Sequence, residues 1–313
     1  MITLDPSEPF DFMQQFEVII IGGSYAGLSA ALSLGRAVRR VLIIDGGKPC
    51  NIQTPFSHNF LTRDGETPLA IAAAGKEQVL SYPTVEFVTD EVLDVSRGGR
   101  GFEVITFSNT YTTGKLIFAT GMQDMLPETT GFADCWGISI VHCPYCHGYE
   151  IKDTATAVLG NGDTGMDFVR LINHWTQDIS LLTNGPAILT DQQREYLADE
   201  RINLIEKEIA AVVHTDGHLQ AVMFDDGSTL PLNAMYARFP MAQRCSIPEQ
   251  LGCVLSEQGL IQVDEFQKTN VEGIYAVGDC TSQMRSVANA VATGSKAGAA
   301  LNNELIRESR RYV

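Results

Sequence analysis

The sequence predicts an α/β protein made of two doubly wound, Rossmann-like nucleotide-binding domains, the second inserted into the first. Three observations point there. A strand, glycine-rich turn, helix and second strand occur near the N-terminus, the same unit recurs in mid-chain, and a late strand ending in Gly278-Asp279 returns the chain to the first fold. At roughly 100–200 residues per domain, 313 residues are enough for two cores.

Residues 16–21 (FEVIII) form an apolar, β-branched run that stops at Gly22 and Gly23, the pattern of a buried parallel strand. Leu28, Ala31, Leu32 and Leu34 then fall near helical spacing, and a second apolar run, 41–44, ends at Asp45. The turn between them reads Gly22-Gly23-Ser24-Tyr25-Ala26-Gly27, with Ser24 in place of the middle glycine of G-x-G-x-x-G. Gly22 permits a tight turn, the small Ser24 lets backbone approach a pyrophosphate, and Gly27 allows close helix–strand packing. The following helix offers free N–H groups and a positive dipole end. Asp45, eighteen residues past Gly27, is placed to accept hydrogen bonds from ribose hydroxyls. A ligand-free glycine turn is the alternative; the agreement of strand, helix, second strand and terminal acid favours a dinucleotide.

The mid-chain unit consists of a strand over 155–159, the turn Gly160-Asn161-Gly162-Asp163-Thr164-Gly165, a helix to Trp175 and a strand over 179–182. All three glycines, Gly160, Gly162 and Gly165, are present. The position matching Asp45 is Thr183, followed by Asn184-Gly185-Pro186, so neither a carboxylate that selects NAD nor an Arg cluster for the NADP 2′-phosphate follows the strand. A further strand is expected over 273–277. The expected borders are 1–120 for the first part of the first nucleotide-binding domain, 121–241 for the second, which carries a cysteine pair, and 242–313 for the return.

With 44% hydrophobic and 19% charged residues the composition is that of a globular protein, neither disordered nor fibrous. The net charge of −16 argues against nucleic acid and anionic lipid as partners. No window reaches the roughly 18 apolar residues that span a bilayer, and the N-terminal MITLDPSEPFDFMQQ is acidic where a signal peptide would be basic. A cytoplasmic location is expected.

Seven cysteines, at 50, 135, 143, 146, 245, 253 and 280, do not suggest a secreted disulfide framework. Only Cys143 and Cys146 are closely spaced, and without a second pair no zinc site is expected. The pair is therefore redox-active or incidental. A helix N-terminus or a protonated histidine would favour its thiolate. His142 and His147 flank it, and His147, if unperturbed, titrates near neutrality and could take a proton from one thiol or return it. The other five cysteines are expected in cores, with Cys50 and Cys135 the two expected to be exposed. Arg36, Arg39 and Arg40 form the obvious positive cluster, readable as a solvated helix end.

Together, the Gly22 to Gly27 turn with Asp45, Ala119-Thr120-Gly121, the C-x-x-C, the Gly160 to Gly165 turn, Thr269 followed by GIYAVGDC, and the helical run from Arg285 to Gly294 carry a family likeness. The chain resembles the low-molecular-weight thioredoxin reductases, a family of FAD-dependent pyridine nucleotide–disulfide oxidoreductases. The resemblance implies FAD at Gly22, Ser24, Ala26, Gly27, Asp45 and Gly121, with Asp279 near the ribityl and phosphate portion, the Val287 backbone near the flavin ring, and Asn51 and Val92 also approaching the cofactor. It implies a homodimer whose nicotinamide domain swivels to present NADPH and the dithiol alternately, with Cys146 facing the flavin and Cys143 attacking the substrate.

Two positions depart from the family pattern. His147 stands where the family usually has Asp, and Thr183-Asn184-Gly185 replaces its basic cluster. The C-x-x-C followed by His-Gly-Tyr-Glu looks like a subgroup that includes dithiol oxidases of disulfide natural products. The expected activity is two-electron transfer between FAD and the Cys143–Cys146 pair and on to a disulfide substrate, a thioredoxin-like protein or a small molecule, with NADPH or NADH as donor. The alternatives are a dithiol oxidase using oxygen, a reductase served by ferredoxin or a second flavin, and a redox-sensing flavin-binding scaffold without turnover.

Overall fold

The computed structural model describes residues 15–99 and 101–310, so the acidic N-terminal stretch lies outside the described residues except for Gln15. In chain order the first leg is β1 (Phe16–Ile21), α1 (Tyr25–Arg36), β2 (Val41–Asp45), α2 (Pro68–Leu80), β3 (Val85–Thr89), β4 (Val92–Gly98), β5 (Gly101–Thr106), β6 (Thr110–Phe118) and β7 (Met122–Asp124). The middle leg is α3 (Phe132–Cys135), β8 (Ile140–Val141), α4 (Pro144–Ile151), β9 (Thr156–Leu159), α5 (Gly162–Ile172), β10 (Ile179–Leu182), α6 (Asp191–Asp199), β11 (Asn203–Ile205), β12 (Ile209–Thr215), β13 (His218–Phe224), β14 (Thr229–Pro231) and β15 (Ala234–Ala237). The last leg is β16 (Met241–Gln243), α7 (Ile247–Gln250), β17 (Ile274–Ala276), a 3₁₀ turn (Gly278–Thr281) and α8 (Val287–Arg310).

The chain divides into two compact units. Unit 1 holds Met1–Ile52, Leu69–Gln123 and Met241–Val313, and unit 2 holds Gln53–Pro68 and Asp124–Pro240. Residues 53–68, which the sequence expectation of 1–120 leaves in the first fold, group with unit 2. No helix among the described residues is long and apolar enough to cross a membrane.

Unit 1 is built on a sheet in the order β3-β2-β1-β6-β5-β4, with β17 also pairing β6. The β3, β2, β1, β6 and β17 pairings are parallel, whereas β4 and β5 extend β6 as an antiparallel meander. Both faces of β1 are buried. Phe16, Ile19 and Ile21 enter one core and Val18 and Ile20 the other, which is why its sequence is a continuous apolar run. Ile21 is level with Ile44 and with Phe118, and Ala276 with Phe118. The loops that follow all four strands therefore leave from one edge of the sheet, where open α/β sheets bind ligands.

Helices α1 and α8 cover the Val18 and Ile20 face with Leu28, Ala30, Ala31, Leu34, Ala297 and Leu301. Two glycines on α8 set their approach. A Cβ on Gly294 would lie 2.1 Å from the Ala26 carbonyl oxygen, and one on Gly298 2.7 Å from that of Ala30. At the far end of α8, Glu304 accepts hydrogen bonds from Lys115, Lys268 and the Tyr275 hydroxyl at 2.6, 2.6 and 2.8 Å. The Arg cluster is spent locally: Arg39 pairs with Glu17 at 2.8 Å, Arg36 donates to the Tyr82 hydroxyl and Arg40 to the Gln15 carbonyl.

Unit 2 repeats the architecture with a parallel sheet in the order β11-β10-β9-β15-β8 and a separate antiparallel sheet, β12-β13-β14. The expectation that Cys135 is exposed is corrected here, because it is fully buried. It closes α3 beside Phe132 and Trp136, and the amides of Ile138 and Ser139 fold back onto its carbonyl. Cys50 is exposed, Cys253 and Cys280 are buried and Cys245 is half-buried.

Replacing Gly294 by Ala forces α8 off the Ala26 carbonyl and is expected to cost about 1–3 kcal/mol. Gly98→Ala, with open space around the added methyl, should change stability by under about 0.5 kcal/mol. Paired chemical denaturation curves check this; equal midpoints for the two variants would refute the close-contact account.

Candidate active site

At the sheet edge of unit 1, Gly22 has φ +106°, and a Cβ there would lie 2.3 Å from the Ala119 carbonyl oxygen. A Cβ on Gly27 would overlap the Gly22 carbonyl oxygen. These two glycines make the turn and seat the helix on the strand as the spacing predicts, while Ser24 is the N-cap of α1 without a side-chain capping bond. Asp45, half-buried at the end of β2, accepts from the Gly23 amide at 2.9 Å and the Gly47 amide at 3.3 Å. Asn51 donates to the Tyr25 hydroxyl at 3.3 Å. Val92 opens β4, just past Asp90, whose amide bonds the Asp45 carbonyl.

The return leg reaches the same edge. Gly278 (φ +77°) abuts Ala26 and donates its amide to Thr293 Oγ1 of α8 at 3.0 Å. Asp279 Oδ2 lies 3.5 Å from Arg285 Nε and 4.0 Å from the Cys50 thiol. Ser286 caps the Asn289 amide at the start of α8, so Val287 stands in the first turn of a 24-residue helix. Gly121 (φ +67°) faces the fully buried Cys280, whose thiol burial pushes up to about 12. The cradle at Gly22, Gly27 and Gly278 that a Cβ would fill, the two helix N-termini and the Asp45 carboxylate suit a dinucleotide with a pyrophosphate and a ribose.

The second turn is built differently. Gly160 and Gly165 pack backbone to backbone, with a Cβ on Gly160 only 2.9 Å from the Gly165 Cα. Asn161 caps α5, and its Oδ1 accepts from the Gly162 amide at 2.9 Å and also from the Ile188 amide at 2.8 Å, while its Nδ2 donates to the Pro186 carbonyl at 2.9 Å. The loop after β10 is thereby tied to the turn. Asp163 brings a carboxylate into the first turn of α5 and is held by Gln193 Nε2 at 2.7 Å, with Gln193 itself part of the capping box of α6. Thr183 is buried and donates to the Gly185 carbonyl. A carboxylate at the helix start and an amide cap engaged by the chain's own loop do not fit the phosphates of a pyridine nucleotide.

The cysteine pair lies in unit 2. Cys143 and Cys146 form a disulfide with Cα atoms 5.3 Å apart. Cys143 is the N-cap of α4 with Pro144 in the first helical position, where its missing N–H costs nothing. Cys146 and His147 follow in the first turns. Gly148 packs so tightly on Trp175 that a Cβ would sit 2.8 Å from the indole nitrogen, while Tyr145 meets the same ring edge-on and Trp136 stacks on His142. Burial, then the charge of His58, lowers the His147 pKa to about 4. The expectation that His147 titrates near neutrality is thus corrected: it is an unprotonated imidazole at pH 7. His58 escaped sequence reasoning because it sits in 53–68, with no motif around it. No group of three or more His, Cys, Asp or Glu side chains among the described residues is arranged to hold a metal ion.

The pyridine nucleotide-disulphide oxidoreductase family matches residues 16–294. The chain is 29% identical over 312 residues to thioredoxin reductase tcpT of Claviceps purpurea (strain 20.1), covering 93% of this chain and 95% of that protein. Among solved structures, the putative thioredoxin reductase TrxB from Bacillus anthracis is 30% identical with a TM-score of 0.89, covering 94% of this chain and 99% of that one. The oxidoreductase from Agrobacterium tumefaciens is 34% identical with a TM-score of 0.87, over 94% and 99%.

Asn161→Ala removes the cap of α5 and both ties to the following loop. Stability should fall by about 1–2 kcal/mol, and hydrogen exchange at the Ile188 amide should accelerate. Unchanged exchange there would show that the loop is held by something else.

Proposed function

The chain belongs to the pyridine nucleotide-disulphide oxidoreductase family, and from that premise we propose that it is a flavin-dependent thiol–disulfide oxidoreductase acting through Cys143 and Cys146. The observation that carries this reading is the disulfide at the start of α4 beside an unprotonated His147. FAD would be held in unit 1 by the Gly22, Ser24, Ala26 and Gly27 turn, with Asp45 toward its ribose, Asp279 toward its phosphate and ribityl portion, and Asn51, Val92, Gly121 and the Val287 end of α8 completing the site. When bound, FAD supplies a store of one electron pair. A homodimer is part of the same proposal.

The chain's own residues do the sulfur chemistry. In the dithiol form, His147 accepts the proton of a thiol, and the N-terminal end of α4 stabilises the thiolate that remains. The Cys143 thiolate attacks one sulfur of the substrate disulfide, forming a mixed disulfide as the first substrate thiolate leaves. Cys146 then attacks Cys143 Sγ, the second substrate thiolate departs, and the bridge is restored. Two electrons and two protons pass to the substrate.

The tied second turn favours a second reading in which the same steps run backwards. A substrate dithiol then reduces the Cys143–Cys146 bridge, and dioxygen is the final acceptor of the electron pair, giving hydrogen peroxide. Asn161, Asp163 and Thr183 support it, because they leave a pyridine nucleotide no phosphate site at that turn.

The test is an anaerobic titration of the yellow holoprotein with NADPH, then NADH, then dithiothreitol, following flavin absorbance. Bleaching by a dithiol is expected in the wild type, and Cys143→Ser or Cys146→Ser should slow it by more than roughly a hundred-fold. Bleaching by a nicotinamide supports the reductase direction, and bleaching by the dithiol alone supports the oxidase. Full-rate bleaching by dithiol in both serine variants would overturn the role of the pair.

A further inference from the structure

Of the two residues that separate the cysteines, Pro144 is buried and Tyr145 is 65% exposed. Tyr149, one helical turn further on the same side of α4, is 72% exposed. Two rings in water beside a disulfide fill no core, and exposed apolar surface at such a place calls for a ligand. Any substrate sulfur that reaches the pair from solvent comes in beside Tyr145.

Both rings are held in place. The Tyr145 ring meets the Trp175 indole at right angles, with centroids 5.7 Å apart. Trp175 is itself fixed on several sides. It is seated against Gly148, where a Cβ would lie 2.8 Å from the indole nitrogen, and His174 packs edge-on against it. Its amide donates to the Ile172 carbonyl at 2.9 Å, and its carbonyl accepts from the Asp153 amide at 3.2 Å. Lys152 Nζ lies over the Tyr149 ring, 3.8 Å from its centre. A ring already ordered loses little freedom when a ligand packs on it.

The strip is also small. Tyr145 and Tyr149 are about 6 Å apart along the helix axis. Beyond Tyr149 the helix turns charged, with Glu150, which the His58 ring approaches at 3.5 Å, and then Lys152. That length matches one planar ring, whereas a protein partner covers on the order of 800 Å². Aromatic rings attract a second ring, offset or edge-on, beyond what burial alone supplies. Resting on the thiol–disulfide reading given above, we propose that Tyr145, extended by Tyr149, determines specificity at the cysteine site, selecting small disulfides or dithiols that carry an aromatic ring next to the reacting sulfur. Gly148 and Trp175 act through Tyr145 and are positioning residues.

The test reads the first bond formed at Cys143. In a Cys146→Ser holoprotein the Cys143 thiolate attacks the sulfenyl sulfur of a methanethiosulfonate. The S–S bond of the reagent breaks, methanesulfinate leaves with the electron pair, and the remaining thioalkyl group stays on Cys143 as a mixed disulfide. Benzyl and cyclohexylmethyl methanethiosulfonate share the leaving group and nearly the same size, and differ in whether the ring is aromatic. Rates are followed by mass mapping of the Cys143 peptide, which separates it from the exposed Cys50, and each benzyl-to-cyclohexylmethyl ratio is divided by the ratio for glutathione.

The corrected ratio is expected to favour benzyl by at least about threefold. Tyr145→Phe should keep that preference, and Tyr145→Leu should bring the ratio to about one; a variant that only loosened α4 would slow both reagents alike and leave the ratio unchanged. A ratio near one in the Cys146→Ser parent overturns the assignment and gives the face to a protein partner, and a preference that survives Tyr145→Leu overturns it as well. A Cys143 that neither reagent modifies overturns instead the reading of that sulfur as the attacking one.

Discussion

The backbone contact between Gly27 and Gly22 is the constraint on which unit 1 depends. Only where Gly27 carries no Cβ can α1 begin directly over the end of β1, and Gly22 needs none to lie against the Ala119 carbonyl. That placement aims the helix N-terminus at the sheet edge and brings Ala26 and Ala30 within reach of Gly294 and Gly298 on α8. The second helix is thus fixed by the first, and the Gly278 corner by both through Thr293. Loosening one contact would move three of the walls around the cradle together.

The same strand–turn–helix unit, used twice, reaches two different local ends. In unit 1 the acid sits at the end of β2 and bonds only backbone amides, so its carboxylate can exchange those partners for hydroxyls. In unit 2 the acid has moved into the helix itself, as Asp163, and an asparagine takes the role of cap. An anion at a helix start satisfies the dipole from within, and the amide of Asn161 can both donate and accept, which is what lets it tie a loop from both sides. Glycine spacing is therefore evidence for a turn shape; the residues between the glycines decide whether the turn is available.

Much of this was legible in the sequence. The runs at 16–21 and 41–44 are apolar on both faces because both faces are buried, one by α1 and α8 and the other by residues such as Val95, Phe102, Val104 and Ile261, so they read as parallel strands, and the turn made by Gly22 and Gly27 and the Cys143–Cys146 spacing are written in local order. What was not legible depends on distance in space. Residues 53–68 look like an ordinary loop of the first fold because nothing in their composition says which unit they rest on. The burial of Cys135 follows from a turn of α3 too short to show periodicity. The neutrality of His147 arises from burial and from His58, eighty-nine residues away in the chain, and no local pattern encodes either.

The electrostatics of the cysteine helix explain why an imidazole can stand directly after the second cysteine. A carboxylate there would place a fixed negative charge one residue from a sulfur that must itself become negative, raising the cost of the thiolate. A neutral imidazole imposes no such penalty and still offers an acceptor nitrogen. The stabilising charge then has to come from elsewhere, and the N-terminal end of α4, capped by Cys143 and opened by Pro144, is the positive pole beside the pair. Under the proposed reading, proton acceptance falls to His147 and charge stabilisation to the helix end. Because neither depends on the identity of the electron donor, the same arrangement serves a bridge that is being made or one that is being broken.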